Sequence, residues 1–137
     1  MPLAASYIRT DSDGALPTRE AQEAEISAFA DASGYELVAG YEDLEAPGLL
    51  LYYRPGIKAA INNIKELEEW EVLLIADPAC ISDTESALHE FVHKLSLYGN
   101  RLESPDRSWE EFLAAMKSYR RAMGRTSQER ETDDGVR

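Results

Sequence analysis

The residues whose types and spacing could do chemistry stand near the start of the chain. They read Ser6-Tyr7-Ile8-Arg9-Thr10-Asp11-Ser12-Asp13-Gly14. One guanidinium, two hydroxyls and two carboxylates crowd into the five positions from Arg9 to Asp13. Groups of these types in one short stretch could form an active site. The apolar run Leu3 to Ile8 before it reads as a first strand. A polar, glycine-ended loop at the carboxyl end of a strand is where an open α/β sheet places its ligands.

A second constellation is His89-Glu90-Phe91-Val92-His93, which matches H-E-x-x-H. On a helix, residues four apart share a face, so His89 and His93 could bind zinc while Glu90 acts as the base. The chemistry needs a third ligand, for which Glu110 and Glu111 are the downstream candidates. Lys94 counts against the site by setting a positive charge beside the metal. The core-facing residues Leu88, Phe91, Val92 and Leu95 also leave both histidines on the helix flank, as solvated side chains. A metal-free chain is therefore expected, with zinc as the alternative cofactor.

The elements that must position these groups alternate. After the first strand, Thr18 is an N-cap candidate and Ile26, Phe29 and Ala30 share a helix face that Gly34 stops. Tyr35 to Tyr41 reads as strand two, and Glu42 to Pro47 as an acidic loop closed by Pro47-Gly48. Pro55 suits the first turn of a helix whose Ile57, Ala60, Ile61 and Ile64 form a core stripe, ending in the region Leu67 to Trp70. Val72 to Ala76 is a continuous apolar run, as in a strand buried on both faces, and Asp77-Pro78 terminates it. Ser82-Asp83-Thr84-Glu85 has the form of a capping box with Ser82 as N-cap, and Gly99 ends that helix. Asn100 to Glu103 reads as a short last strand. Ser108-Trp109-Glu110-Glu111 is a second capping box. It opens a final helix carrying Trp109, Phe112, Leu113, Met116, Tyr119 and Met123, more apolar surface than a terminal helix usually shows. Either part of it faces a partner subunit or all of it packs into the core. From Gly124 onward the sequence is polar and aperiodic.

Strand–helix alternation implies an α/β fold, with a mostly parallel sheet covered by helices on both faces. With 137 residues, one domain is expected over residues 1–124, including the final helix from about 108, followed by a flexible tail at 125–137. The chain is acidic, with 26 acidic against 14 basic residues and a net charge of −12, which argues against non-specific binding to nucleic acid. A single cysteine, Cys80, excludes an internal disulfide and reads as a small buried hydrophobe. No charged-then-apolar leader and no run of about 20 apolar residues is visible, so the expectation is a cytoplasmic chain without a membrane span.

The order of these features resembles the catalytic domain of the serine recombinases, the resolvase/invertase family. Tyr7-Ile8-Arg9 is similar to that family's Tyr-x-Arg at the end of strand one, and Gln22 falls where the family has a glutamine early in the first helix. Gly34-Tyr35-Glu36-Leu37-Val38 resembles its second-strand entry. Asp43 and Arg54-Pro55-Gly56 resemble the family's loop aspartate and its Arg-Pro-Gly. The segment Trp109 to Arg130 looks like its long dimerisation helix. The resemblance spans residues 3 to 130. It implies a three-layer resolvase-like fold of four to five mostly parallel strands with a long C-terminal helix, and a homodimer through helix 108–124.

It also implies DNA strand exchange, in which a serine hydroxyl attacks a backbone phosphate and clustered arginines stabilise the charge that builds up. Counting from Tyr7-x-Arg9, the nucleophile's position is 11, and residue 11 is Asp. Ser12 and Thr10 flank it, and Ser12 would serve only after a slip of register. The family's Asp-Arg-Leu-x-Arg should fall in Asp77-Pro78-Ala79-Cys80-Ile81-Ser82, which holds no arginine. Arg9, Gln22 and Arg54 are what remains of the cluster. They would either bind an anion or neutralise Asp11 and Asp43. The expectation is a recombinase-like pseudoenzyme, a dimerising or regulatory module tied to a mobile element. The alternatives are a zinc hydrolase at 89–93 or an active divergent recombinase subunit. DNA binding by the isolated chain is not expected at this charge.

Overall fold

The computed structural model describes residues 2–44, 50–82 and 84–136, with side chains through 124. The Pro47-Gly48 loop end and Asp83 of the first capping box lie outside the described residues. Four strands, β1 (Leu3–Arg9), β2 (Glu36–Asp43), β3 (Val72–Leu74) and β4 (Arg101–Glu103), form one sheet in the order β2-β1-β3-β4. Every pairing is parallel. Four helices complete the fold: α1 (Arg19–Ser33), α2 (Pro55–Asn62), α3 (Glu85–Leu97) and α4 (Trp109–Val136).

Period-two alternation along β1 divides the core. Ala4 and Ile8 face α1, where they meet Ile26, Ala30, Val72 and Leu74. Ala5 and Tyr7 face the other way, into a larger cluster with Ile57, Leu73, Phe91, Leu102 and Phe112. One helix therefore covers one face, and α2, α3 and α4 cover the other. The three layers and four parallel strands agree with the expected α/β fold.

Local signals explain most element ends. Thr18 accepts a bond from the Ala21 amide at 3.2 Å and caps α1, and Gly34 closes it in the left-handed conformation at φ 75°. The Ser108 box forms as read: the Glu111 amide donates to Ser108 Oγ at 3.2 Å, and the Ser108 amide donates to Glu111 Oε1 at 3.3 Å. The first box does not form. The N-cap of α3 is Thr84, because Ser82 Oγ accepts the Thr84 amide at 3.1 Å and closes a local turn of its own. After α2 the chain makes a π turn over Asn63–Leu67 and leaves it through Glu68 at φ 51°. β3 ends at Leu74, two residues earlier than its apolar run suggests. α4 takes in residues 125–136, read from the sequence as a polar tail.

Candidate functional site

The site forms where β1 ends, at the carboxyl edge of the sheet. Asp43, the last residue of β2, is buried beside it. Its Oδ1 accepts the Gly56 amide at 2.8 Å and its Oδ2 accepts the Ile57 amide at 3.2 Å. Asp43 thus caps α2 from a different strand and satisfies two amides that the helix itself cannot. Gly56 is required by this approach. A Cβ there would lie 2.7 Å from both Asp43 Oδ2 and the Glu42 carbonyl oxygen. The Tyr7 hydroxyl donates to Asp43 Oδ2 at 2.8 Å. Burial raises the Tyr7 pKa far above the usual phenol range, the Arg54 side chain pulls it back down, and the Asp43 carboxylate adds to the rise.

Arg9 and Arg54 are both buried, at 8% and 5% exposure. A buried guanidinium must find acceptors, and both find them on the turn after β3. Arg9 donates from Nε to the Cys80 carbonyl at 2.9 Å and from Nη2 to the Ala79 carbonyl at 2.6 Å. Its Nη1 pairs with Asp11 Oδ1 at 2.8 Å. Arg54 donates from Nη1 to the carbonyls of Ile81 at 2.7 Å and Cys80 at 3.3 Å. The turn itself is a 3₁₀ segment, Pro78–Cys80, capped by the Asp77 carboxylate, which accepts the Ala79 amide at 2.8 Å.

Gln22 is fully buried and locks the β1–α1 loop. Its amide nitrogen donates to the carbonyls of Arg9 and Pro17, each at 2.7 Å. Its oxygen accepts from the Arg9 amide and from Cys80 Sγ, each at 3.3 Å. Cys80 is fully buried, as its apolar neighbours suggest, and burial pushes its thiol pKa up.

The structure therefore brings Arg9, Gln22, Arg54 and the 79–81 turn together. Asp11 joins through Arg9. Ser12 lies exposed on the following turn, which the Gly14 amide closes onto the Asp11 carbonyl at 3.2 Å. A cavity of about 550 Å³ opens beside this loop, lined by Thr10, Asp11, Leu16, Pro17 and Arg19. The reach of both arginines to the 79–81 carbonyls was not visible in the sequence. Those contacts span 26 to 71 residues, and no periodicity records them.

The H-E-x-x-H helix looks different from its sequence reading. His89 is not a solvated flank residue. It is buried and stacked on Tyr119 of α4, with ring centroids 4.7 Å apart at 27°. His93 is half-buried. Among the described residues, no group of three His, Cys, Asp or Glu side chains is placed to hold a metal ion. No helix among them is long and apolar enough to cross a membrane.

A four-stranded parallel sheet with helices on both faces, a polar cluster at the end of its first strand and a long final helix make a three-layer α/β fold. The family model for the resolvase N-terminal domain matches residues 4–135, and the chain belongs to that family. Among solved structures it is similar to the N-terminal catalytic domain of TP901-1 integrase. Identity is 19%, the TM-score is 0.75, and 94% of this chain and 98% of that one are covered. A resolvase family site-specific recombinase from Streptococcus pneumoniae shares 17% identity at a TM-score of 0.67, covering 99% and 96%. The C-terminal catalytic domain of ISC1926 TnpA, an IS607-like serine recombinase, shares 20% at 0.63, covering 74% and 69%. No curated protein matches the sequence.

Proposed function

We propose that this resolvase-type domain does not carry out strand transfer and serves as a dimerising or regulatory module through α4. One observation carries the reading: Arg9, through Nε and Nη2, and Arg54, through Nη1, donate to the carbonyl oxygens of residues 79–81, so these donors are engaged by the protein's own backbone. A phosphoryl transition state needs donors aimed at its equatorial oxygens, and each donor lost costs ~100-fold or more. Asp11, at the position where the family resemblance places the nucleophile, adds a negative charge where a phosphate would enter. It also occupies the remaining Arg9 nitrogen at 2.8 Å. The dimer reading rests on α4, a helix of about 42 Å on which Met123 stands exposed.

The test is incubation with supercoiled DNA, followed by denaturing electrophoresis. No covalent protein–DNA adduct is expected. An adduct lost in Ser12→Ala would establish an active divergent enzyme with Ser12 as its nucleophile. Sedimentation of the free chain checks the dimer, which Met123→Glu should weaken.

A further inference from the structure

The end of the sheet opposite the candidate site carries a surface that the resolvase reading does not use. A recess of about 270 Å³ lies between the segment before β3 and the one before β4, lined by Leu3, Glu68, Glu69, Glu71, Tyr98 and Gly99. Its floor is rigid. The Glu71 amide donates to the Leu3 carbonyl at 2.9 Å, the Arg101 amide donates to the Glu71 carbonyl at 2.9 Å, and the Asn100 side chain donates to the Trp70 carbonyl at 3.1 Å. Tyr98, which lines it, is 47% exposed, and Leu67 and Leu97, each next in the chain to a lining residue, are 56% and 70% exposed. Isolated exposed leucines are ordinary, but apolar side chains open on both segments that flank a recess mark an interaction surface.

Carboxylates dominate the rim. Glu66, Glu68, Glu69 and Glu71 fall within six consecutive positions. Glu69 is held by Asn63, and among the described residues Glu66, Glu68 and Glu71 have no ion-pair partner. Glu68 sits at φ 51°, where glycine or asparagine would be the unstrained choice. The chain sets a carboxylate there against its own backbone preference. One cation is already drawn to the surface: the Lys65 ammonium lies over the Tyr98 ring, 5.9 Å from its centroid.

We propose that this face docks a basic segment of another protein, one that inserts an aliphatic side chain into the recess and lays Lys or Arg against Glu68 and Glu71. Charge complementarity selects the occupant. A second copy of this chain, at net −12, brings more acid than base to an acidic rim, whereas a lysine-rich segment is attracted and steered. The surface is independent of the reading of Arg9 and Arg54.

The test uses the full chain, isotope-labelled, titrated with a short synthetic peptide of leucine and lysine and followed amide by amide. Saturable shifts are expected at Glu68, Glu69, Glu71, Gly99 and Asn100, weakening as salt rises. A double variant, Glu68→Gln with Glu71→Gln, should lose about tenfold in affinity, and so should Leu97→Ser, whose exposure leaves the core intact. Shifts centred on Glu20, Glu23 and Glu25 of α1, or affinities unchanged in both variants, would overturn the proposal. So would a change in the sedimentation of the peptide-free chain caused by Leu97→Ser, since the face would then be a contact between copies.

Discussion

Arg9 and Arg54, 45 positions apart in the sequence, share one acceptor: the carbonyl oxygen of Cys80, at 2.9 Å from Arg9 Nε and 3.3 Å from Arg54 Nη1. Two guanidinium groups on one backbone turn form a structural clasp. Each binds the turn through charge-assisted bonds, Arg9 with Nε and Nη2 and Arg54 with Nη1.

The clasp predicts a large stability effect. Arg54→Ala should remove about 2–4 kcal/mol from the unfolding free energy, because it strips donors from buried carbonyls of Cys80 and Ile81. Urea denaturation measures it. A loss below about 0.5 kcal/mol would mean that the turn does not depend on the arginine.

A second prediction concerns the nucleophile's place. Asp11→Ser returns a hydroxyl, removes a charge and frees Arg9 Nη1, yet Arg9 Nε and Nη2 and Arg54 Nη1 stay on residues 79–81. No covalent adduct with supercoiled DNA is expected from this variant. Adduct formation would show that the arginines leave the turn readily and that Asp11 alone holds the activity down.

A third follows from the remote cap on α2. Gly56→Ala drives a methyl group to 2.7 Å from two oxygens in a site with no room to yield. A loss of about 2–3 kcal/mol is expected. Asp43→Ala, which frees the Gly56 and Ile57 amides and the Tyr7 hydroxyl together, should cost about as much. If both variants unfold at the wild-type denaturant concentration, Asp43 is not the cap of α2.

The legibility of this molecule divides along contact range. The Ser108 box was readable because its two bonds are local and reciprocal. The same spacing at Ser82 misled, since a hydroxyl two residues before Thr84 prefers the nearer amide. The strand–helix order, and the placing of Arg9, Gln22 and Arg54 at one site, followed from sequence pattern and family resemblance. What the arginines do there did not, because the 79–81 turn is brought to them only by the crossing of β1 beside β3. His89 shows the same limit. Its helix alone placed it on a flank, and Tyr119, 30 positions later, covers it.

Alkaline titration gives a fourth prediction. Burial and the Glu103 carboxylate push the Tyr35 hydroxyl up to about 12 from an ordinary 10.0, and the two side chains are hydrogen-bonded. The phenol is held neutral in the folded state, so its contribution is complete below pH 10 and is lost as the pH rises toward about 12. Tyr7 shifts in the same direction. Stability should therefore fall on this alkaline limb, and Tyr35→Phe should flatten it. An equally steep fall in Tyr35→Phe would assign the limb to other groups.

The central claim is that Arg9 and Arg54 hold the protein's own backbone and not a phosphate. Side-chain NMR of the two guanidinium groups during titration with inorganic phosphate tests it most directly. The Arg9 Nε–H signal is expected to exchange slowly with solvent, and the signals of both guanidinium groups to stay in place as phosphate is added. A saturable shift of either signal would contradict the account and mark the clasp as a working anion site.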